Sequence, residues 1–170
     1  MERQEAVPRW RYEVLPADRD AVRRLTESTG VFHPFEIDVA VELVDERLTR
    51  GPSCGYEFVF AEEDGETVAY VCYGPIALTQ GSFDLYWIAV EKGRQGCGLG
   101  RRLLGESERL MAAAGGRQVY IETSGRDVYE PTRGFYLRCG YRVAAVLRDF
   151  YAVGDDKVIF VKEIAARSPG

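Results

Sequence analysis

Apolar positions along the chain recur at two spacings, and the switches between them mark its elements. Trp10–Leu15 reads as a short first strand ended by Pro16. Asp18 and Asp20 suit the first turn of a helix through about Ser28, Val22 and Leu25 fit its buried stripe, and Gly30 stops it. Ile37, Val41, Val44 and Leu48 recur every three or four residues and predict a second helix from about Glu36 to Leu48, broken at Gly51-Pro52. The β-rich runs Tyr56–Ala61 and Thr67–Tyr73 flank Asp64-Gly65, a dipeptide that favours a tight hairpin turn. Ser82–Val90, rich in aromatic and branched residues, predicts a fourth strand. Gly98–Ala114 predicts a helix with Leu99, Leu103, Leu110, Met111 and Ala114 on one face, and Gln118–Thr123 a fifth strand. A short helix over Pro131–Arg138 ends at Gly140, and two last strands, Tyr141–Tyr151 and Lys157–Glu163, surround Gly154-Asp155-Asp156. Strands in runs joined by few helices describe a mixed α/β fold. No linker, repeat or low-complexity segment interrupts it, so residues 1–170 are expected to form a single domain with a sizeable core.

Composition narrows the function. The net charge of −5 argues against general nucleic-acid binding, which needs clustered positive charge. No apolar run approaches the ~20 residues of a membrane-spanning helix, and MERQEAVPRWRYEV lacks the apolar core of a signal peptide; a cytoplasmic protein is expected. Cys54, Cys72, Cys97 and Cys139 lie far apart and read as free thiols, and the lone His33 cannot build a multi-histidine site, so no metal is expected. The charge is also segregated. Residues 51–91 contain no Lys or Arg and carry −7 through Glu57, Glu62, Glu63, Asp64, Glu66, Asp84 and Glu91, whereas residues 92–109 carry +3.

The sign changes where a glycine-rich turn begins. Asp84–Val90 leads into Gly93, Gly96, Gly98 and Gly100 and then into the amphipathic helix. Unpaired amides at a helix N-terminus, the helix dipole, close approach allowed by glycine, and the charges of Arg94, Arg101 and Arg102 together suit a phosphate-bearing ligand. Two common phosphate loops fail on spacing. No Gly-Lys-Ser/Thr is present, and Gly96-x-Gly98-x-Gly100 is not G-x-G-x-x-G.

The segment Gln95-Gly-Cys-Gly98-Leu-Gly100 is instead similar to Q/R-x-x-G-x-G/A, the pyrophosphate loop of the GNAT N-acetyltransferases. Some 40 residues on, Gly134-Phe-Tyr136-Leu-Arg-Cys-Gly-Tyr141 resembles that family's F-Y-x-x-x-G-F/Y signature, and the order of elements matches nearly throughout. The resemblance implies a splayed central mixed sheet flanked by helices, with acetyl-CoA as co-substrate. It implies that Gln95, Gly96, Cys97, Gly98, Leu99, Gly100 and Arg101 surround the pyrophosphate. Ile88, Ala89 and Val90 would pair with the pantetheine arm, with the thioester near Ile88. The family's N-x-x-A-x-x-F-Y is not kept, because Tyr129 and Thr132 stand in the Asn and Ala places.

Acetyl transfer to an amine needs a base, since an alkyl ammonium has a pKa near 10.4, together with a donor for the oxyanion and an acid for the departing thiolate. Alternation puts Asp84, Tyr86, Ile88 and Val90 on one face of the fourth strand. By resemblance Asp84 is expected as base and Tyr136 as general acid. Glu122 is the competing carboxylate, or a binder of a cationic acceptor. Phe32, Phe35, Glu36, Trp87, Glu122 and Tyr151 fall in the family's acceptor region, and carboxylates with aromatics suit a cationic amine. The expected partner is a small-molecule or peptide amine, with a homodimer left open. Two other readings stay open: a non-catalytic sensor of CoA or acyl-CoA with the same fold, and a loop for a different phosphate ligand. Cys97 lies away from the thioester with no histidine nearby in sequence to activate it, which argues against an acetyl-cysteine route.

Overall fold

The computed structural model of the chain describes residues 7–164. The chain ends of the expected 1–170 domain, including the start of the MERQ stretch, lie outside them. The elements are β1 (Arg9–Arg11), α1 (Asp18–Thr29), α2 (Pro34–Arg50), β2 (Glu57–Glu63), β3 (Glu66–Pro75), β4 (Ser82–Val90), α3 (Leu99–Ala113), β5 (Gln118–Ser124), α4 (Glu130–Arg138), β6 (Arg142–Ala152) and β7 (Asp155–Glu163). The strands form a seven-stranded mixed sheet in the order β1-β2-β3-β4-β5-β7-β6. The chain divides into two compact units. One takes in the residues up to Tyr73 and Trp87–Ser107; the other takes in Gly74–Tyr86 and the residues from Glu108 onward.

In the first unit, β1, β2 and β3 pair antiparallel. Asp64 (φ 51°) and Gly65 (φ 83°) are both left-handed, the backbone that a two-residue hairpin turn with the right twist demands. Val22 and Leu25 of α1, Ala40 and Val44 of α2, and Phe58, Phe60, Tyr70 and Cys72 of the hairpin pack into one buried cluster. The first strand is shorter than expected, ending at Arg11 rather than Leu15. Its would-be continuation is drawn into a turn: Leu15 N–H donates to Asp18 Oδ2 (2.7 Å) and Asp18 N–H to the Leu15 carbonyl (2.9 Å). Asp18 is only 2% exposed and also accepts from the Arg11 guanidinium, whose Nε donates to Glu62. An acid placed by sequence in a helix's first turn is therefore the buried anchor of β1 and β2.

In the second unit, β4 pairs parallel with β5 from Ser82↔Gln118 to Leu85↔Ile121, and β5, β7 and β6 continue antiparallel. Two glycines set this register. A Cβ on Gly81 would lie 2.5 Å from the Gly115 carbonyl oxygen, and one on Gly116 would lie 2.6 Å from the Met111 carbonyl oxygen and 3.1 Å from the Phe83 ring. The approach lets Arg117 N–H donate to the Gly81 carbonyl at 2.6 Å. The stripe of α3 also differs from expectation. Leu99, Leu103, Leu104, Ser107 and Met111 are buried, while Ala114 is exposed and Leu110 half-buried. Ser107 takes a buried position because its hydroxyl donates to the Leu104 carbonyl (2.7 Å), which satisfies it inside the helix.

Gly81 and Gly65 share a left-handed φ but differ in room, since a Cβ at Gly65 meets nothing within 4 Å. Gly65→Ala should cost about 1 kcal/mol, the backbone term alone, and Gly81→Ala about 3 kcal/mol or more. Urea unfolding of the two variants checks the difference; equal losses would mean that the close approach at Gly81 is not tight.

Candidate functional site

The glycine turn in the first unit is built to leave amides unpaired. The chain leaves β4 through a 3-10 turn over Lys92–Arg94, and Gln95 Nε2 donates back to the Val90 carbonyl (3.1 Å), which ties the loop to the strand end. Gly96 and Gly98 have φ of 81° and 82°, and open space surrounds the Cβ that either would carry. Arg102 N–H closes the first turn of α3 on the Gly98 carbonyl (3.1 Å), so the amides of Leu99, Gly100 and Arg101 precede the helical ladder. Gln95, Gly96, Cys97, Gly98 and Arg101 are exposed, Gly100 is partly exposed and Leu99 is buried in the helix stripe. This donor set fits an anionic pyrophosphate. Arg94 contributes less charge than its sequence position suggested, because its Nη1 is bound by Glu63 (2.5 Å) with Glu91 nearby. Arg102 lies over the Trp10 ring at 5.9 Å. Cys97 Sγ donates to the Arg94 carbonyl (2.8 Å), so the thiol helps to close the turn. In β4, Ala89 is buried and Ile88 and Val90 are half-buried.

The carboxylates lie in the second unit. Asp84 is registered against Tyr120, and Glu122 follows two residues later on the same face of β5. Burial raises Asp84 above the usual carboxylate range, the Glu122 charge raises it further, and Lys157 lowers it. Glu122 is salt-bridged to Lys157 Nζ at 2.8 Å. That ammonium sits over the rings of Phe150 (3.7 Å) and Tyr151 (5.7 Å). Sequence reasoning missed Lys157, because its pairing with Glu122 comes from the register of β7 against β5, a long-range contact that alternation within one strand does not show.

Tyr136, on α4, is 4% exposed and packs its ring against Phe135, Tyr141 and Phe160. Burial, then the nearby Cys139 and Tyr129, push its phenol well above its ordinary value, so it stays protonated. Tyr129 is itself buried, with Arg126 over its ring at 5.4 Å.

The expected acceptor residues divide. Trp87 is half-buried edge-on to Phe32, with centroids 4.9 Å apart. Phe35 is exposed and stacks on His33. Glu36 accepts from the His33 N–H (2.7 Å), which makes its carboxylate part of the α2 N-terminus. Glu122 is engaged by Lys157.

Comparison with known proteins gives a consistent answer. A family model described as an acetyltransferase (GNAT) domain matches residues 54–143. An uncharacterized N-acetyltransferase of Methanocaldococcus jannaschii is 30% identical over 147 residues, 86% of each chain. A crystal structure of a GNAT-family protein from Desulfovibrio desulfuricans superposes with a TM-score of 0.91 at 53% identity, covering 94% of this chain and 100% of that one. An aminoglycoside 6'-N-acetyltransferase complexed with coenzyme A shares the fold, with a TM-score of 0.75 at 20% identity over 96% and 99% of the two chains.

The raised Asp84 has a consequence for stability. The folded chain binds that proton more tightly than the unfolded chain does, so stability is lost as pH rises from the unfolded carboxylate value through the raised folded one. Asp84→Asn removes this loss. Melting against pH should show the variant more stable than the parent at pH 7.5, with the gap closing as pH falls toward 4; a gap independent of pH would contradict the burial of the charge.

Proposed function

The chain belongs to the GNAT acetyltransferases, and from that membership we propose that it moves an acetyl group from acetyl-CoA to a primary amine by direct attack in a ternary complex. The observation that carries the coenzyme is the turn at α3, where Gly96 and Gly98 open the backbone in front of unpaired amides. In this reading the amides from Gly96 through Arg101 take the pyrophosphate, and the backbone of Ile88–Val90 takes the pantetheine arm. Acetyl-CoA supplies an activated acetyl thioester.

The remaining work belongs to side chains. Asp84 accepts the proton that the amine gives up, through water, and its raised affinity for a proton brings it closer to the amine's own range. Tyr136 donates to the departing sulfur, a task its protonated, buried phenol suits. The acceptor is a small-molecule or peptide amine. Direct attack is favoured because the loop thiol, Cys97, is committed to the Arg94 carbonyl.

Three measurements test the proposal. Acetyl-CoA at about 100 times its Kd should add about 2.7 kcal/mol of stability, a melting shift of roughly 5–10 °C; no shift at saturation overturns coenzyme binding. Thiol release across an amine panel should then reveal turnover, and a shift with no turnover on any amine would favour a coenzyme-binding sensor. Tyr136→Phe should lower kcat about 100-fold while coenzyme affinity changes less than about threefold. A wild-type rate in that variant removes the acid role.

A further inference from the structure

We propose that Lys157 is a positioning residue for acetyl transfer: it neutralises Glu122, so that negative charge on this face of the sheet is left to Asp84. The inference rests on the reading of Asp84 as base.

The geometry begins with strand register. Asp84 opposite Tyr120 puts Glu122 on the same face, and two carboxylates so placed oppose each other's ionisation. On the other side of β5, Ser124 is paired with Lys157 and Glu122 with Ile159, which makes Glu122 and Lys157 diagonal neighbours on one face. The Lys157 side chain is 13% exposed, and its ammonium reaches Glu122 Oε2 at 2.8 Å.

An aromatic wall fixes the ammonium there. Between the pairs Leu147↔Lys157 and Ala152↔Asp155, β6 places residues 148–151 against Asp156 alone. Asp149, at φ 53°, makes the bend; its N–H donates to Asp156 Oδ1 and its own carboxylate accepts from Gly154 N–H. Phe150 and Tyr151 are thereby placed against the Lys157 ammonium. The other acids of the hairpin have partners of their own: Asp155 binds Ser124 Oγ and Arg126, and Asp156 lies 3.7 Å from Arg148. The Tyr120 hydroxyl donates to Gln118. The charge of Lys157 is thus directed at Glu122, and an amine acceptor would have to displace a lysine already seated on aromatics in order to use Glu122.

The test is a charge cycle read by pH. In Lys157→Met the acidic limb of kcat/KM should move to higher pH, with about a threefold loss at a pH on that limb and a plateau within twofold of wild type. Glu122→Gln should move the limb the other way. The double variant Glu122→Gln, Lys157→Met should return toward wild type, and Lys157→Arg should stay near it. Carbon-13 NMR titration of the Asp84 carboxyl should follow the same order. An Asp84 titration unmoved in Lys157→Met, or a double variant shifted as far as that single one, overturns the proposal. An Asp84 titration that moves while the kinetic limb does not would support the coupling and overturn the base assignment instead.

Discussion

The register of β4 against β5 depends on a backbone approach that only glycine permits. Gly81 lies so near the Gly115 carbonyl, and Gly116 so near Met111 and Phe83, that no side chain fits at either place. With Arg117 N–H bound to the Gly81 carbonyl, Ser82 falls opposite Gln118 and every later pair is fixed. A slip of one residue would turn Asp84 toward the buried side and Leu85 toward the carboxylate face, because strand faces alternate. The chemistry attributed to Asp84 therefore begins at a turn that carries no functional group.

Charge in this chain is consumed locally, which changes what the segregated sequence means. Four of the seven acids in residues 51–91 are bound by arginines from outside that segment: Glu57 by Arg47, Glu62 by Arg11, Glu63 by Arg94, and Glu91 by Arg24. The −7 of the segment is thus partly offset by partners, three of them from outside residues 92–109 as well. Asp84 behaves differently: burial is the first cause of its shift, and Lys157, the cation that opposes that shift, is salt-bridged to another carboxylate. A carboxylate held in this way is a better proton acceptor than one fixed by an arginine, because direct pairing would lower its affinity for the proton.

Signals that were local in sequence were legible. Asp64-Gly65 needs only its own two dihedrals, Ser82–Val90 needs only its β-rich composition, and the glycine turn needs only its spacing; each sits where the pattern put it. The features that were not legible are contacts between distant residues. β1 stops early because Asp18 captures Leu15 N–H and Arg11, a contest that periodicity cannot see. Sequence counts Glu36 among the acceptor-region carboxylates, but a glutamate three residues into a helix can reach back to the preceding backbone, and here it does. Lys157 could not be found because it meets Glu122 only through the pairing of β7 with β5, and its aromatic wall comes from four residues of β6 that face one residue of β7 and so break alternation.

Burial acts on both proposed reacting groups in the same direction and serves opposite ends. It raises Asp84, which makes a weak base stronger, and it raises Tyr136, which keeps an acid charged with its proton. The difference lies in where each group starts. A carboxylate begins far below neutrality, so a rise brings it toward the working range. A phenol begins above neutrality, so a rise carries it further from ionisation and secures the donor form. Only the carboxylate then needs fine adjustment, and the adjustable charges, Glu122 and Lys157, lie on its side of the chemistry. Tyr136 is enclosed by Phe135, Tyr141 and Phe160, where burial is the main cause of the required state and Cys139 and Tyr129 add to it.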